Sequence, residues 1–169
     1  MRILETPRLV LRQLTTADAP FILELLNDPA FMRFIGDRGV RTSAAARQYI
    51  VEGPVASYVR YGFGMYLTEQ RADGAAIGLS GLVKRDYLDL VDLGFAFLPA
   101  YRSQGYASEA ALAVMGHARS EYGLARLGGL VSPDNAASIR VLEKIGMRFE
   151  RLVRASPEAA PVRLYARDL

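Results

Sequence analysis

The sequence predicts an α/β fold: a central mixed, mostly antiparallel sheet of six or seven strands flanked by about four helices. In the middle of the chain, three short apolar segments follow one another closely, which is typical of an antiparallel meander. In the second half a helix separates two strands, and such a crossover makes its strands parallel neighbours or near neighbours. The 169 residues contain no linker or internal repeat, so residues 1–169 are predicted to form a single domain.

The first half of the chain is expected to contain one strand, two helices and the meander. Residues 9–14 predict a strand, and the apolar stripe after Asp18 predicts a helix that ends before Pro29. A second helix is expected over residues 43–58. The meander strands are expected at residues 64–69, 77–83 and 90–98.

The second half is expected to alternate helices and strands. A long helix from Tyr106 to Tyr122 is predicted to end at Gly123, because glycine readily adopts the left-handed conformation that closes a helix. Another helix is predicted from Ala136 to Ile145. Strands are expected at residues 127–131, 147–153 and 162–166.

Cysteine is absent, and His117 is the only histidine. The absence of cysteine excludes disulfides, thiolate zinc sites and an acyl-cysteine intermediate. One histidine cannot form a multi-histidine metal centre, and a Ser-His-Asp relay would have to pass through it. The sequence therefore predicts no metal, and any acyl transfer must use another nucleophile or direct attack.

The net charge of +3, from 21 basic and 18 acidic residues, leaves two interpretations open. The basic residues could simply be solvated, or they could attract an anionic partner such as a phosphorylated cofactor. No dense basic run indicates a nucleic-acid-binding surface. No apolar run could span a membrane, and residues 1–7 lack the apolar stretch of a signal peptide, so a cytoplasmic protein is expected.

The segment from Phe97 to Glu109 joins the end of a predicted strand to the start of the long helix. Helix starts carry unpaired N–H groups and a partial positive charge, small residues let a phosphate approach them, and Arg102 adds a charge. The segment has neither the Gly-Lys-Ser/Thr of a Walker loop nor the glycines of the dinucleotide fingerprint. On spacing alone, a phosphate site and a tight turn with a surface arginine agree with it equally well.

Three motifs carry a resemblance to a known family. Arg102-x-x-Gly105-x-Ala107, after a strand, resembles the acetyl-CoA motif of the GNAT N-acetyltransferase superfamily, and residues 135–147 are similar to that family's next motif. Residues 6–12, Thr-Pro-Arg-Leu-Val-Leu-Arg, resemble the RimJ/RimL-like branch, whose enzymes acetylate ribosomal-protein N-termini. The matches occur in the family's order over nearly the whole chain. The resemblance implies a GNAT-like fold and an acetyl-CoA-dependent N-acetyltransferase.

The resemblance also implies where acetyl-CoA, as co-substrate, is held. The pyrophosphate would lie on the loop before the long helix, and the pantetheine arm beside the preceding strand. Backbone groups near Phe97 and Leu98 would hold the arm, and one of them would donate to the thioester carbonyl as an oxyanion donor. The cofactor-binding residues implied in this way are Phe95, Ala96, Phe97, Leu98, Arg102, Ser103, Gln104, Gly105, Tyr106, Ala107, Ser108 and Asn135.

The family reaction is direct attack by a neutral amine on the thioester, which calls for a base and, ideally, an acid for the leaving sulfur. Asp92 is the candidate base, directly or through water; alternatively, it is a strand carboxylate that faces solvent or binds a backbone group. Many relatives carry a tyrosine acid where this chain has Leu142. Ser138 could hydrogen-bond the sulfur instead, or it could satisfy N–H groups of its own helix.

The acceptor site is expected between the first two helices and the loop before Gly64. A peptide N-terminus, a small amine or an antibiotic is compatible with it, and the branch resemblance favours a protein N-terminus. Two rival functions stay open: a non-catalytic acyl-CoA-binding module and a ribosome- or RNA-associated domain. A homodimer is also left open. The aromatic candidates for this site are Phe31, Phe34, Tyr58, Tyr61 and Phe63, and the acidic ones are Asp28 and Asp37.

Overall fold

Eight strands form one mixed sheet in the computed structural model, which describes residues 1–169. In chain order they are β1 (Arg2–Glu5), β2 (Leu9–Arg12), β3 (Met65–Gln70), β4 (Ala76–Val83), β5 (Asp92–Phe97), β6 (Arg126–Val131), β7 (Arg148–Val153) and β8 (Val162–Asp168). Their order across the sheet is β1-β2-β3-β4-β5-β6-β8-β7, and only β5 and β6 are parallel. The mixed, mostly antiparallel sheet predicted from the sequence is therefore confirmed.

The strand that raises the number from seven to eight is β1. It is an edge strand of four residues, it pairs only with β2, and a register irregularity between Arg2 and Leu4 disturbs its alternation. A period of two cannot be recognised in so short and irregular a segment. The Thr6-Pro7-Arg8 connection between β1 and β2 contacts Gln104 and Glu109.

Six α-helices accompany the sheet, two more than the sequence predicted. They are α1 (Ala19–Leu26), α2 (Pro29–Phe34), α3 (Ser43–Ile50), α4 (Ala56–Tyr61), α5 (Tyr106–Tyr122) and α6 (Ala136–Lys144). The expected helix over 43–58 is divided into α3 and α4 by a wide π turn, Val51–Val55, that contains Pro54. Proline has no N–H to donate, so the regular hydrogen-bond ladder is interrupted there.

The helix α2 was not expected, because Pro29 was interpreted as a stop signal. Pro29 instead occupies the first helical position, where its missing N–H costs nothing. The Asp28 side chain caps the helix by accepting a hydrogen bond from the Phe31 N–H at 3.1 Å. The same proline that ends α1 therefore begins α2, which forms one wall of the cavity described below.

Helices cover both faces of the sheet. Neighbouring residues of a strand point to opposite faces, and accordingly Tyr66 packs with Val114 of α5 while Leu67 packs with Ile22 of α1 and Ile50 of α3. Each fully buried aliphatic side chain of these two cores contributes about 1.5–3 kcal/mol of stabilisation. No helix combines the length and apolar character that a membrane span requires.

The parallel strands β5 and β6 separate almost immediately. Their only register pair is Asp92 with Gly128, next to a hydrogen bond from the Gly128 N–H to the Val91 carbonyl oxygen at 2.9 Å. Beyond this point β6 continues along β8, while β5 continues along β4. The sheet therefore opens between β5 and β6, toward the carboxyl ends of both strands.

Candidate functional site

A cavity of about 490 Å³ lies where β5 ends and α5 begins, and α2 and α6 form its other walls. Most of the residues that the sequence implicated in cofactor binding are brought together on its wall. They are Phe95, Ala96, Phe97, Arg102, Ser103, Gly105, Tyr106, Ala107, Ser108 and Asn135, together with the candidate acid Ser138.

Three of the implicated residues do not line this cavity. The Leu98 N–H donates to the Ile77 carbonyl oxygen at 2.9 Å, and its side chain packs in the core under α1 to α3. The Gln104 amide donates to the Ala100 carbonyl oxygen at 2.9 Å, outside the cavity. Asp92 lies at the point where β5 and β6 part, 2% exposed. The backbone donor expected at Leu98 is therefore already used within the sheet.

The edge of β5 that faces β6 carries backbone N–H groups without a strand partner. Hydrogen-bonding direction alternates along a strand, and the Leu98 N–H points toward β4. The N–H groups of Phe95 and Phe97 therefore point the other way, toward β6. Because β6 pairs with β5 only at Asp92, these two donors face the opening in the sheet.

The loop before α5 has a backbone shaped for an anion. Gly105 has a φ of +82° and directly precedes the helix, and a left-handed residue followed by a helical one directs successive N–H groups into one concavity. Ser103, with a φ of +61°, is the only non-glycine residue in the left-handed region. Strain of this kind, of order 1–3 kcal/mol, is typical of ligand-binding loops.

Arg102 lines the cavity. The sequence suggested that its positive charge would be available to a phosphate, but in the structure a carboxylate pairs with it. Its Nε donates to the Phe97 carbonyl oxygen at 3.0 Å, and its Nη2 binds the buried carboxylate of Asp28. Arg102 thus joins the end of β5 to the start of α2, and Asp28 offsets its charge. Its main role in this structure is to hold the wall of the cavity in place, because its charge is already paired.

The start of α6 presents two polar side chains to the cavity. Asn135 caps the helix by accepting from the Ser138 N–H at 3.3 Å. The Ser138 hydroxyl makes no hydrogen bond within the protein and lines the cavity. Leu142 is 1% exposed in the core, and Gly129 of β6 has no side chain where Leu142 packs. Position 142 therefore faces away from the cavity.

Two cations on α6 were missed by sequence reasoning. Arg140 and Lys144 are exposed, line the cavity one helical turn apart, and form no ion pair. Their spacing of four residues on a helix that begins at the implicated Asn135 was the available signal, because such residues share one helix face. They supply the free positive charge that Arg102 does not.

The Asp92 side chain links β5 to β6 at the point where the two strands separate. Its Oδ1 accepts from the Leu130 N–H at 3.1 Å, and its Oδ2 accepts from the Arg85 Nε at 2.9 Å. Burial raises the pKa of Asp92, and the Arg85 guanidinium and the Leu130 N–H oppose that rise. Each carboxylate oxygen keeps a second lone pair that these two hydrogen bonds do not use.

The aromatic residues expected around the acceptor divide into two groups. Phe31 and Phe34 of α2 line the cavity, whereas Tyr58, Tyr61 and Phe63 pack with the core under α5. Neither acidic candidate is free for an amine. Asp28 binds Arg102, and Asp37 binds Arg41 at 2.6 Å and the Gly39 N–H.

His117 packs its ring against Tyr122, with 5.3 Å between ring centroids, and it does not line the cavity. Burial lowers the pKa of this histidine. No three His, Cys, Asp or Glu side chains come together as a candidate metal site.

Comparisons with known proteins find a matching family model, similar sequences and similar structures. Residues 8–148 match the family model of an acetyltransferase (GNAT) domain. The chain is 30% identical to the uncharacterized N-acetyltransferase YoaA of Bacillus subtilis (strain 168), over 90% of this chain and 86% of YoaA. An acetyltransferase from Agrobacterium tumefaciens strain C58 has a similar structure, with a TM-score of 0.81 at 27% identity over 97% of this chain and 92% of that one.

A likeness in fold extends to RimL, a ribosomal L7/L12 alpha-N-protein acetyltransferase solved in complex with coenzyme A. The TM-score is 0.85 at 19% identity, over 100% of this chain and 98% of RimL.

Proposed function

Since this chain belongs to the GNAT acetyltransferase family, we propose that it transfers the acetyl group of acetyl-CoA directly to a primary amine, with both substrates bound at once. One observation carries the proposal: the unpaired N–H groups of β5 and those of the α5 start open onto the same cavity of about 490 Å³. Residues 1–169 would act as a single domain of this kind.

The residues present fit acetyl-CoA. Its diphosphate would accept hydrogen bonds from the N–H groups of residues 105–108, where the helix also carries a partial positive charge. The amide-bearing pantetheine arm would lie along β5 and use one of the two donors, the N–H of Phe95 or that of Phe97, which leaves the other for the thioester. The apolar wall formed by Phe31 and Phe34 would exclude water from the thioester end.

The reaction needs no enzyme-bound acyl group, which suits a chain without cysteine. The amine nitrogen bonds to the acetyl carbon, the carbon–sulfur bond breaks, and CoA leaves as a thiolate or thiol. The Phe95 or Phe97 N–H would stabilise the developing oxyanion. Asp92 would remove the amine proton through water, and Ser138 would donate a hydrogen bond to the sulfur.

The acceptor is proposed to be a protein N-terminus or a small amine. The fold is shared with RimL, which is described as acting on ribosomal L7/L12, and this supports the protein N-terminus. The absence of a free carboxylate among the acidic candidates argues against a strongly cationic acceptor such as a polyamine.

Calorimetric titration with acetyl-CoA and CoA, followed by an amine-library screen for release of free thiol, tests the proposal. Saturable binding and amine-dependent thiol release are expected. A protein that binds acetyl-CoA but acetylates no peptide or small amine would instead be a non-catalytic acyl-CoA-binding module. A protein that binds neither ligand would contradict the proposal at its first step.

The α6 cations should recognise a phosphate of the cofactor. We expect Lys144→Gln to weaken acetyl-CoA binding about fivefold to tenfold, an effect of roughly 1–1.4 kcal/mol, because one unpaired cation is lost at the cavity rim. The loss should shrink when salt is raised, since exposed charges are screened. Arg47→Gln, an exposed and unpaired arginine on α3, is the matched control and should bind as the wild type does. Equal losses in both variants would contradict the assignment.

The Ser138 hydroxyl should act on the leaving sulfur. Ser138→Ala is expected to lower kcat roughly tenfold to a hundredfold, because a hydrogen bond to a developing anion contributes ~1.5–3 kcal/mol. Binding of acetyl-CoA should change little, since the neutral ground-state sulfur is a weak acceptor. Steady-state kinetics with the best amine of the screen provides the measurement. A rise in KM without a change in kcat would show that the hydroxyl only binds the cofactor.

A further inference from the structure

The Thr6-Pro7-Arg8 connection between β1 and β2 lies against the first turn of α5, although about a hundred residues separate them in the chain. The Thr6 hydroxyl donates to Glu109 Oε1 at 2.6 Å, and the Arg8 N–H donates to the same oxygen at 3.0 Å. The Arg8 guanidinium donates through Nε to Glu109 Oε2 at 2.7 Å and through Nη1 to the Gln104 carbonyl oxygen at 2.9 Å. One arginine therefore holds both the helix start and the loop before it.

The bond to the Gln104 carbonyl oxygen fixes the direction of the next N–H group. The peptide unit between Gln104 and Gly105 is planar and trans, so its carbonyl and its N–H point to opposite sides. Because the carbonyl points to Arg8, which does not line the cavity, the N–H of Gly105, a residue that does line it, points away from Arg8.

Arg8 also offsets a charge that opposes anion binding. Glu109 lies in the first turn of α5, where a carboxylate would compete with the cofactor's phosphates for the helix start. Burial raises the pKa of Glu109, but the hydrogen bonds from Thr6 and Arg8 outweigh this effect and hold the pKa below its usual range. The carboxylate therefore stays ionised, and its charge is matched by that of Arg8.

The guanidinium itself is held by stacking. It lies 4.3 Å from the centre of the Tyr106 ring, and the Tyr106 hydroxyl accepts from Gln70 Nε2 at 2.8 Å. A planar group that stacks and donates in two directions is a property of arginine that lysine does not share. Arg8 does not line the cavity, so it acts through the loop and does not contact the ligand.

We propose that Arg8 is a positioning residue for the diphosphate: it orients the Gly105 N–H and offsets Glu109, so that the loop accepts an anion. This inference rests on the proposed function, because it requires the loop to hold the phosphates of acetyl-CoA. It assigns a task to the N-terminal Thr-Pro-Arg segment, which the reaction itself leaves unexplained.

The test compares Arg8→Gln with Arg71→Gln, a neighbouring arginine that contacts the Thr6 carbonyl oxygen but not the loop. Each variant is titrated with acetyl-CoA and with S-acetylpantetheine, which lacks every phosphate. Arg8→Gln should weaken acetyl-CoA about tenfold, as the loss of one well-oriented donor to a charged ligand implies, and leave S-acetylpantetheine within about twofold. Arg71→Gln should change neither.

Each contrary result has a distinct meaning. If the wild type binds no acetyl-CoA, the proposed function fails before Arg8 is tested. If the wild type binds but Arg8→Gln weakens both ligands equally, Arg8 only supports the fold and the inference is overturned. Arg8→Lys keeps the positive charge but loses the planar guanidinium that donates to Glu109 and to Gln104 at once. If this variant binds acetyl-CoA as the wild type does, Arg8 does not act by orienting the Gly105 N–H. A loss in Arg8→Lys that is confined to acetyl-CoA would support it.

Discussion

Replacing Gly105 with glutamate should abolish acetyl-CoA binding in calorimetric titration, raising Kd by at least about 100-fold, or ~2.7 kcal/mol. Two effects add. The φ of +82° is a conformation that side chains disfavour, by roughly 1–2 kcal/mol. The new side chain would also begin 3.3 Å from Arg8 Nη2, so its carboxylate would compete for Arg8 and add a negative charge beside the helix start proposed to hold the diphosphate.

Gly74→Glu is the matched control for the backbone strain. Gly74 has a φ of +72°, lies in the turn between β3 and β4, and has open space around it. This variant should carry a similar conformational cost and bind acetyl-CoA as the wild type does. If Gly105→Glu also binds like the wild type, the loop is not the phosphate site. If both variants lose binding, the loss comes from the fold.

Asp92→Asn should lower kcat roughly 100-fold, because positioned general bases contribute at least that much. Asparagine keeps an oxygen that can accept from the Leu130 N–H, so the Kd for acetyl-CoA should stay within about twofold of the wild type. In the wild type the rate should fall as the pH drops below the raised pKa of Asp92, because the base works deprotonated. That acidic limb should be absent from the variant.

Arg85→Gln tests the same assignment from the other side. It keeps the carboxylate but removes a cation that lowers the pKa of Asp92, so the acidic limb should move to higher pH while the plateau rate is retained. Should Asp92→Asn retain the wild-type rate, the carboxylate only closes the opening of the sheet. The same conclusion follows if Asp92→Asn and Arg85→Gln lose activity equally at every pH.

Local signals were enough to predict most elements. The helix from Tyr106 to Tyr122 has its predicted bounds, because glycine stands at both ends in the left-handed conformation. The crossover predicted the parallel pair β5 and β6, since chain connectivity leaves few alternatives. The helix α2 was missed because Pro29 is compatible with both an end and a beginning, and only the Asp28 cap decides between them.

The charge state of the site could not be predicted from local patterns. Arg102 was expected to face a phosphate, but its carboxylate partner Asp28 lies 74 residues away in the chain. The partnership of Arg8 and Glu109 spans 101 residues. Which cations are free is decided by tertiary packing: the spacing of Arg140 and Lys144 predicts that they share a helix face, but only the structure shows that neither forms an ion pair. The roles of Asp92 and Ser138 stay predictions.

The parting of β5 and β6 makes this protein two half-sheets that share a single bridge and the side chain of Asp92. A pantetheine arm bound in the gap beside Phe95 and Phe97 would hold the two half-sheets together, as an additional strand between them would. Acetyl-CoA would then stabilise the fold of the enzyme as well as serve as its acetyl donor. Because a ligand that binds only the folded state stabilises it more as its concentration rises above Kd, the free energy of unfolding should be higher when acetyl-CoA is abundant than when it is scarce.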